Sequence, residues 1–247
     1  MALLKEKRQA VISHAVTRGL NPHAPMKPSG IEWLGDVPEH WSVVKLGRHA
    51  TVTKLTGFEY TNHWKVDPDG EIVALRGYNI KNGKLDLESV DRISHELSAS
   101  LDRSKLRAGD IVFPCTGTIG DAAIIPEDDR FHINQNIAKI TFDHSVQSEY
   151  ALWFLTSAFA KEQFQDLNTS GVQPVILIGN IRRLLIVVPS LNEQSRISEY
   201  LSAAGVEFDT LTTEAQRAID LLQERRTALI SAAVTGQIDV RGTVSII

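Results

Sequence analysis

Residues 76–81 (RGYNIK) place a guanidinium, a carboxamide and an ammonium within six positions. Side chains of these types bind flat polar edges and anions. Arg pairs bidentately with guanine and Asn with adenine, while Lys neutralises phosphate. Four more segments share that character. Thr116-Gly117-Thr118-Ile119-Gly120 is a glycine-flanked turn whose N–H groups and hydroxyls suit a phosphate. Asn134-Gln135-Asn136 is a dense amide cluster, and residues 169–173 (TSGVQ) form a hydroxyl and amide loop. Residues 54–60 (KLTGFEY) join a cation, a glycine and aromatics. The candidate contacts to double-stranded DNA are therefore Lys54, Tyr60, Arg76, Asn79, Lys81, Thr116, Thr118, Asn134, Gln135, Asn136, Ser170 and Gln173. Any one such loop is ordinary solvated surface; five in one stretch of chain point to a reading surface.

A chemistry of bond breaking is not spelled out. There is no GxxxxGK[ST] phosphate loop, GxSxG elbow or HExxH zinc helix, and no Asn/Asp-Pro-Pro-aromatic methyltransferase motif. The 8 histidines lack metal-ligand spacing; His14 lies on a helix and His132 precedes a strand. Asp67 and Asp69 sit in a DPDG turn that Asp favours for its geometry. Glu71, Asp110 and Asp121 have the types of a nuclease metal site without its spacing. The single cysteine, Cys115, excludes an internal disulfide and a cysteine-based zinc site. The expectation is a non-catalytic chain without metal or cofactor. Net charge is −4, with 9 Lys/Arg against 5 Asp/Glu in residues 1–65 and an acidic excess beyond. Binding to DNA must then come from a local face, not a bulk field.

The elements that would position these loops begin with a repeat. Residues 3–17 (LLKEKRQAVISHAVT) match residues 221–235 (LLQERRTALISAAVT) at 10 of 15 positions without a gap. The second copy closes a helical pattern from about Asn192 to Thr235. Its apolar stripe alternates steps of four and three through Ile197, Leu201, Ala204, Phe208, Leu211, Ala215, Ala218 and Leu222, then Leu229 and Ala232, with Arg225 as the interruption. Such a seam is buried along a partner helix. Gly205 weakens the helix by up to about 1 kcal/mol relative to Ala, and Gly236 is a suitable stop. Residues 21–41, rich in Pro, Gly and Trp, read as an irregular strap. Strand-like runs follow at Ser42–Leu46, Glu71–Leu75, Asp110–Phe113, Ala122–Ile125, Ile137–Phe142 and Leu184–Val188, with one amphipathic helix over Glu149–Gln165. The predicted organisation is a helix end at 1–20, an α+β module at 21–190, a long coiled-coil helix at 191–236 and a tail at 237–247.

Several of these stretches are similar to the specificity subunit of Type I restriction-modification enzymes. SGIEWLGDVPEHWSVVKLG (29–47) is similar to the strap that opens a target recognition domain in that family. LRAGDIVFPCTGTIGDAAII (106–125) and INQNIAKI (133–140) resemble its central strands. Residues 170–201 resemble its close, passing through Pro189, Glu193, Gln194 and Ile197 into the spacer helix. The resemblance implies a cytoplasmic, non-catalytic DNA-reading subunit. Two recognition domains in tandem each read half of a bipartite target. Antiparallel spacer helices dock modification subunits, which bind S-adenosylmethionine and methylate adenine, and through them a restriction subunit. The departure is that this chain carries one recognition domain and one spacer, a half-length form. A homodimer through the spacer would restore two half-sites and read an inverted repeat. The rival readings are a stand-alone nuclease or methyltransferase, and a coiled-coil scaffold without a DNA role.

Overall fold

Ile111-Val112-Phe113 is apolar at every position, and it becomes a strand covered on both faces. Ile111 and Phe113 enter one buried cluster while Val112 enters another. Alternate residues of a strand point to opposite faces, so a continuous apolar run is what two-sided burial demands. The computed structural model describes residues 2–117, 119–167 and 175–238.

In chain order the elements are α1 (Ala2–Arg18), β1 (Met26–Pro28), β2 (Asp36–Pro38), β3 (Ser42–Lys45), β4 (Ala50–Thr53), α2 (Gly57–His63), β5 (Ile72–Leu75), β6 (Ile80–Lys81), β7 (Lys84–Leu85) and β8 (Asp91–Ile93). They continue with α3 (His95–Ser100), β9 (Ile111–Pro114), β10 (Ala123–Ile124), β11 (Phe131–Ile133), β12 (Ile137–Phe142), α4 (Ser148–Leu155), α5 (Ala158–Asp166), α6 (Ile178–Arg183), β13 (Leu185–Val188) and α7 (Leu191–Val234). The fold is α+β, as expected. An antiparallel sheet of order β10-β9-β12-β4 lies at its centre, with a smaller sheet β11-β5-β8 in which β11 runs parallel to β5. Hairpin β1–β2 gives the Pro-rich strap more regular pairing than its composition suggests.

The chain divides into two compact units. The first holds residues 9–201. In it Ile12, Ala15 and Val16 of α1 are buried in the main cluster with Trp41, Tyr150, Phe154 and Ile186. The Tyr150 hydroxyl donates to the Val187 carbonyl at 2.7 Å, with the Val16 carbonyl also at 3.2 Å. Thus one buried phenol ties the end of α1 to β13. The first turns of α7 belong here too. Gln194 is fully buried, donating to the Ser145 and Pro189 carbonyls and accepting from the Gln147 N–H. Glu193 receives hydrogen bonds from Trp41 Nε1, His40 Nε2 and the Ser190 hydroxyl. Burial alone pushes that carboxyl up, but these donors outweigh it and hold it down at about 2.

Two expectations are corrected here. Ile197 and Leu201 are each 1% exposed and belong to the core of this unit. They cannot line a seam with a partner, because their own module covers them. Residues 149–165 form two helices, not one: α4 ends at Leu155, and Ser157 caps α5 by accepting from the Ala160 N–H.

The second unit comprises Met1–Arg8 and Ser202–Ile247 as far as they are described, with an Arg8–Asp209 ion pair of 2.5 Å. At about 1.5 Å per residue, the 44 residues of α7 measure roughly 65 Å. Phe208 is half-buried, whereas Leu211, Leu222 and Leu229 are exposed. Gly236 turns with φ +72° and ends the helical path. Among the described residues no helix is long and apolar enough to cross a membrane.

Candidate nucleic-acid interface

Strand order brings distant loops to one end of the central sheet. β9 and β12 are antiparallel with Pro114 opposite Ile137, so the loop leaving β9 lies beside the one entering β12. β4 pairs with β12 through Thr53 and Lys139, so Lys54 leaves at the same end. Parallel pairing of β5 with β11 sets Leu75 opposite Ile133, which places Arg76 beside Asn134. Hydrogen bonds stitch the set. Cys115 N–H donates to the Asn136 carbonyl, Ile176 N–H donates to the Cys115 carbonyl, and Thr116 bridges Val175. The β6–β7 tip joins through Asn82 N–H to Asp121 at 3.4 Å and the Gly83–Ala123 bridge. Lys54, Arg76, Lys81, Thr116 and residues 134–136, some eighty residues apart in sequence, are thus gathered on one rim.

Their side chains differ in what remains free. Lys54 makes no ion pair among the described residues; burial pushes the neighbouring Cys115 thiol up to about 11 in spite of this ammonium. Arg76 is held by Asp91 through Nε and Nη2, yet is still partly exposed, so its fork is pre-positioned. Lys81 pairs with Asp86 at 2.9 Å on the open surface. Asn136 is exposed. Gln135 is half-buried, and its Oε1 is shielded from solvent without a hydrogen-bond partner among the described residues. An acceptor left in that state costs about 1–3 kcal/mol until a donor reaches it. Tyr60 stacks on Trp64 with centroids 5.8 Å apart, and Trp64 lies against buried His132.

Two expected contacts have other duties. Asn79 is 1% exposed, its amide donating to the Asp86 and Ser89 carbonyls and accepting from the Arg76 N–H. With every group spent on the backbone it shapes the loop and cannot read a base. Asn134 is 8% exposed and caps its own turn by accepting from the Asn136 N–H. Thr118, Ser170 and Gln173 lie outside the described residues. The carboxylates considered for a metal are likewise engaged: Asp110 accepts from Thr141 Oγ1 and the Arg107 N–H, and Glu71 from the His95 N–H.

Sequence reasoning missed Lys161. A Cβ at Gly120, whose φ is +95°, would stand 3.0 Å from Lys161 Cγ, so the glycine leaves room for the lysine stem to lie against it. Nothing in sequence separates Lys161 from any other lysine on a helix face. Phe58 (72% exposed, on α2) and Tyr78 (48%, beside Arg76) lie in segments the sequence singled out but were not among the named contacts.

Residues 38–220 match the Type I restriction modification DNA specificity domain, and the chain belongs to that family. It is 22% identical over 245 residues to the Type I restriction enzyme MjaVIII specificity subunit of Methanocaldococcus jannaschii, covering 97% of this chain and 55% of that protein. To the Type I restriction enzyme EcoBI specificity subunit of Escherichia coli it is 22% identical over 241 residues, covering 96% and 51%. The chain therefore spans about half the length of these relatives. Among solved structures, the HsdS subunit from Thermoanaerobacter tengcongensis aligns with TM-score 0.59 at 15% identity, over 96% of this chain and 52% of that one. A chain from a structural study of complex assembly and conformational transition of the type I R-M system aligns with TM-score 0.67 at 14% identity, over 94% and 52%. At these identities the likeness concerns the fold.

Proposed function

We propose that the chain is the non-catalytic DNA-recognition subunit of a cytoplasmic Type I restriction-modification complex, with the rim of the central sheet reading one half of a bipartite duplex target. The observation that carries this is the convergence of four polar loops at the ends of β4, β9 and β12 in the central sheet and of β5 and β11 in the smaller one. In this reading Lys54, Lys81 and Lys161 meet phosphates, and Thr116 helps hold the backbone. Arg76, Gln135 and Asn136 meet base edges, and Tyr60 packs at the border. Thr118, Ser170 and Gln173 remain proposed contacts on the grounds of residue type and order.

The exposed face of α7 is proposed to dock the modification subunits and, through them, the restriction subunit. The relatives named above are specificity subunits, and one structural neighbour comes from a study of assembly of that system; both support this role. Phe208, Leu211, Leu222 and Leu229 are the proposed self-contact of a homodimer. A two-fold pair of modules would read an inverted repeat. The test is DNA retention from a randomised duplex pool by the chain with modification subunits, compared with the chain in which Gln135 is replaced by Ala.

A further inference from the structure

We infer that the last turns of α7 are a second docking helix for the seat that α1 occupies, and that the partner they fit is the module of another copy of this chain. The inference goes beyond the use of α7 as a seam and does not depend on DNA binding. In α1 the residues most deeply buried against the module are Ile12 (4% exposed), Ala15 (1%), Val16 (0%) and Thr17 (8%), with Ser13 Oγ accepting from the Ala158 N–H at 3.1 Å. Displaced by 218 positions, all five recur unchanged as Ile230, Ser231, Ala233 and Val234 at the end of α7 and Thr235 just after it. Of the five positions at which the two segments differ, His14 against Ala232 is exposed on α1, while Val11, which packs against the same cluster, is matched by another aliphatic residue, Leu229.

Local geometry recurs as well. Thr17 Oγ1 donates to the Ser13 carbonyl at 2.6 Å, and Thr235 Oγ1 donates to the Ser231 carbonyl at 2.8 Å. Each helix is followed by a left-handed glycine, Gly19 at φ +79° and Gly236 at φ +72°. What differs is cover: Ile230 is 54% exposed and Val234 82%. An isolated helix end gains nothing from Ile, Ala and Val at three- and four-residue spacing unless that stripe is buried elsewhere. The seat that fits it is the one that buries the same five residues of α1. Within one chain α1 holds its seat through a short tether, at high effective concentration. The end of α7 from a second copy therefore enters by exchange.

The test traps that exchange. Ala158 lies against Ser13, so the counterpart Ser231 should come within disulfide reach of Ala158 in another copy. Two full-length chains, Ser231→Cys and Ala158→Cys, are mixed under mild oxidation. Native Cys115 is buried with its thiol pushed up to about 11, so it stays out of the reaction. An Arg217→Cys chain, substituted at an exposed point of α7, reports random collision. The Ala158→Cys partner is used with native α1 and with Ile12→Ala to loosen α1. The expected result is covalent heterodimer about tenfold above the Arg217→Cys control in at least one background. A yield equal to the control in both overturns the inference and leaves the DNA reading untouched.

Discussion

Glu193 answers to Trp41, His40 and Ser190 at once, fixing the strap to the root of α7. Its carboxyl is held at about 2, well below the usual carboxylate range, so the bound anion favours the folded state. A depressed pKa contributes fully above the unfolded value and is lost as pH falls from about 4.5 toward 2. Glu193→Gln should lower stability by about 1.5–3 kcal/mol, the range for hydrogen bonds to a charged group. Thermal unfolding recorded at pH 7 and pH 3 checks this, with the gap between native and variant narrowing at pH 3. At the rim, Lys54→Ala should weaken DNA binding uniformly across sequences and reduce the salt slope by about one unit. Gln135→Ala should instead relax preference at one base position by about 1–3 kcal/mol. Titrations at several salt concentrations on two duplexes separate the two effects.

Elements show where sequence was informative. The six strand-like runs form strands because each carries apolar residues for one or both faces, as in Ile111–Pro114 and Leu185–Val188. β4, with sequence ATVT, and β11, with sequence FHI, are short and polar at alternate or central positions, and sheet pairing rather than local pattern makes them strands. The break at Ser157 was hidden because the apolar period continues through it. In α7 the heptad stripe was legible, yet its first two members were assigned to a partner seam when the module itself covers Ile197 and Leu201. A hydrophobic pattern says that a face is buried and leaves open by what. The polar loops were legible by type, but the spent amide of Asn79 and the reach of Lys161 arise only from tertiary contact. α1 and the end of α7 sharpen the point. Ile12→Ala should cost about 2–4 kcal/mol, whereas Ile230→Ala should cost less than about 0.5 kcal/mol in the dilute chain. Denaturant unfolding of both variants at low concentration measures the contrast.

At the scale of the molecule, the proposed function assigns one reading rim to the module and leaves Leu211, Leu222 and Leu229 exposed along the long helix. The chain spans about half of its relatives, so pairing through α7 is the route by which two rims would face one duplex. Light scattering should give twice 27.3 kDa, and Leu222→Asp with Leu229→Asp, both at exposed positions, should return the mass to that of one chain while the module stays folded. The most direct measurement of the central claim is sequencing of DNA retained from a randomised duplex pool by the chain assembled with its modification subunits. The account predicts an enriched inverted repeat with a fixed gap, and an altered base preference at matching positions of both halves when Gln135 and Asn136 are replaced by Ala. Retention without sequence enrichment, or an enriched motif that these two substitutions leave unchanged, would contradict it.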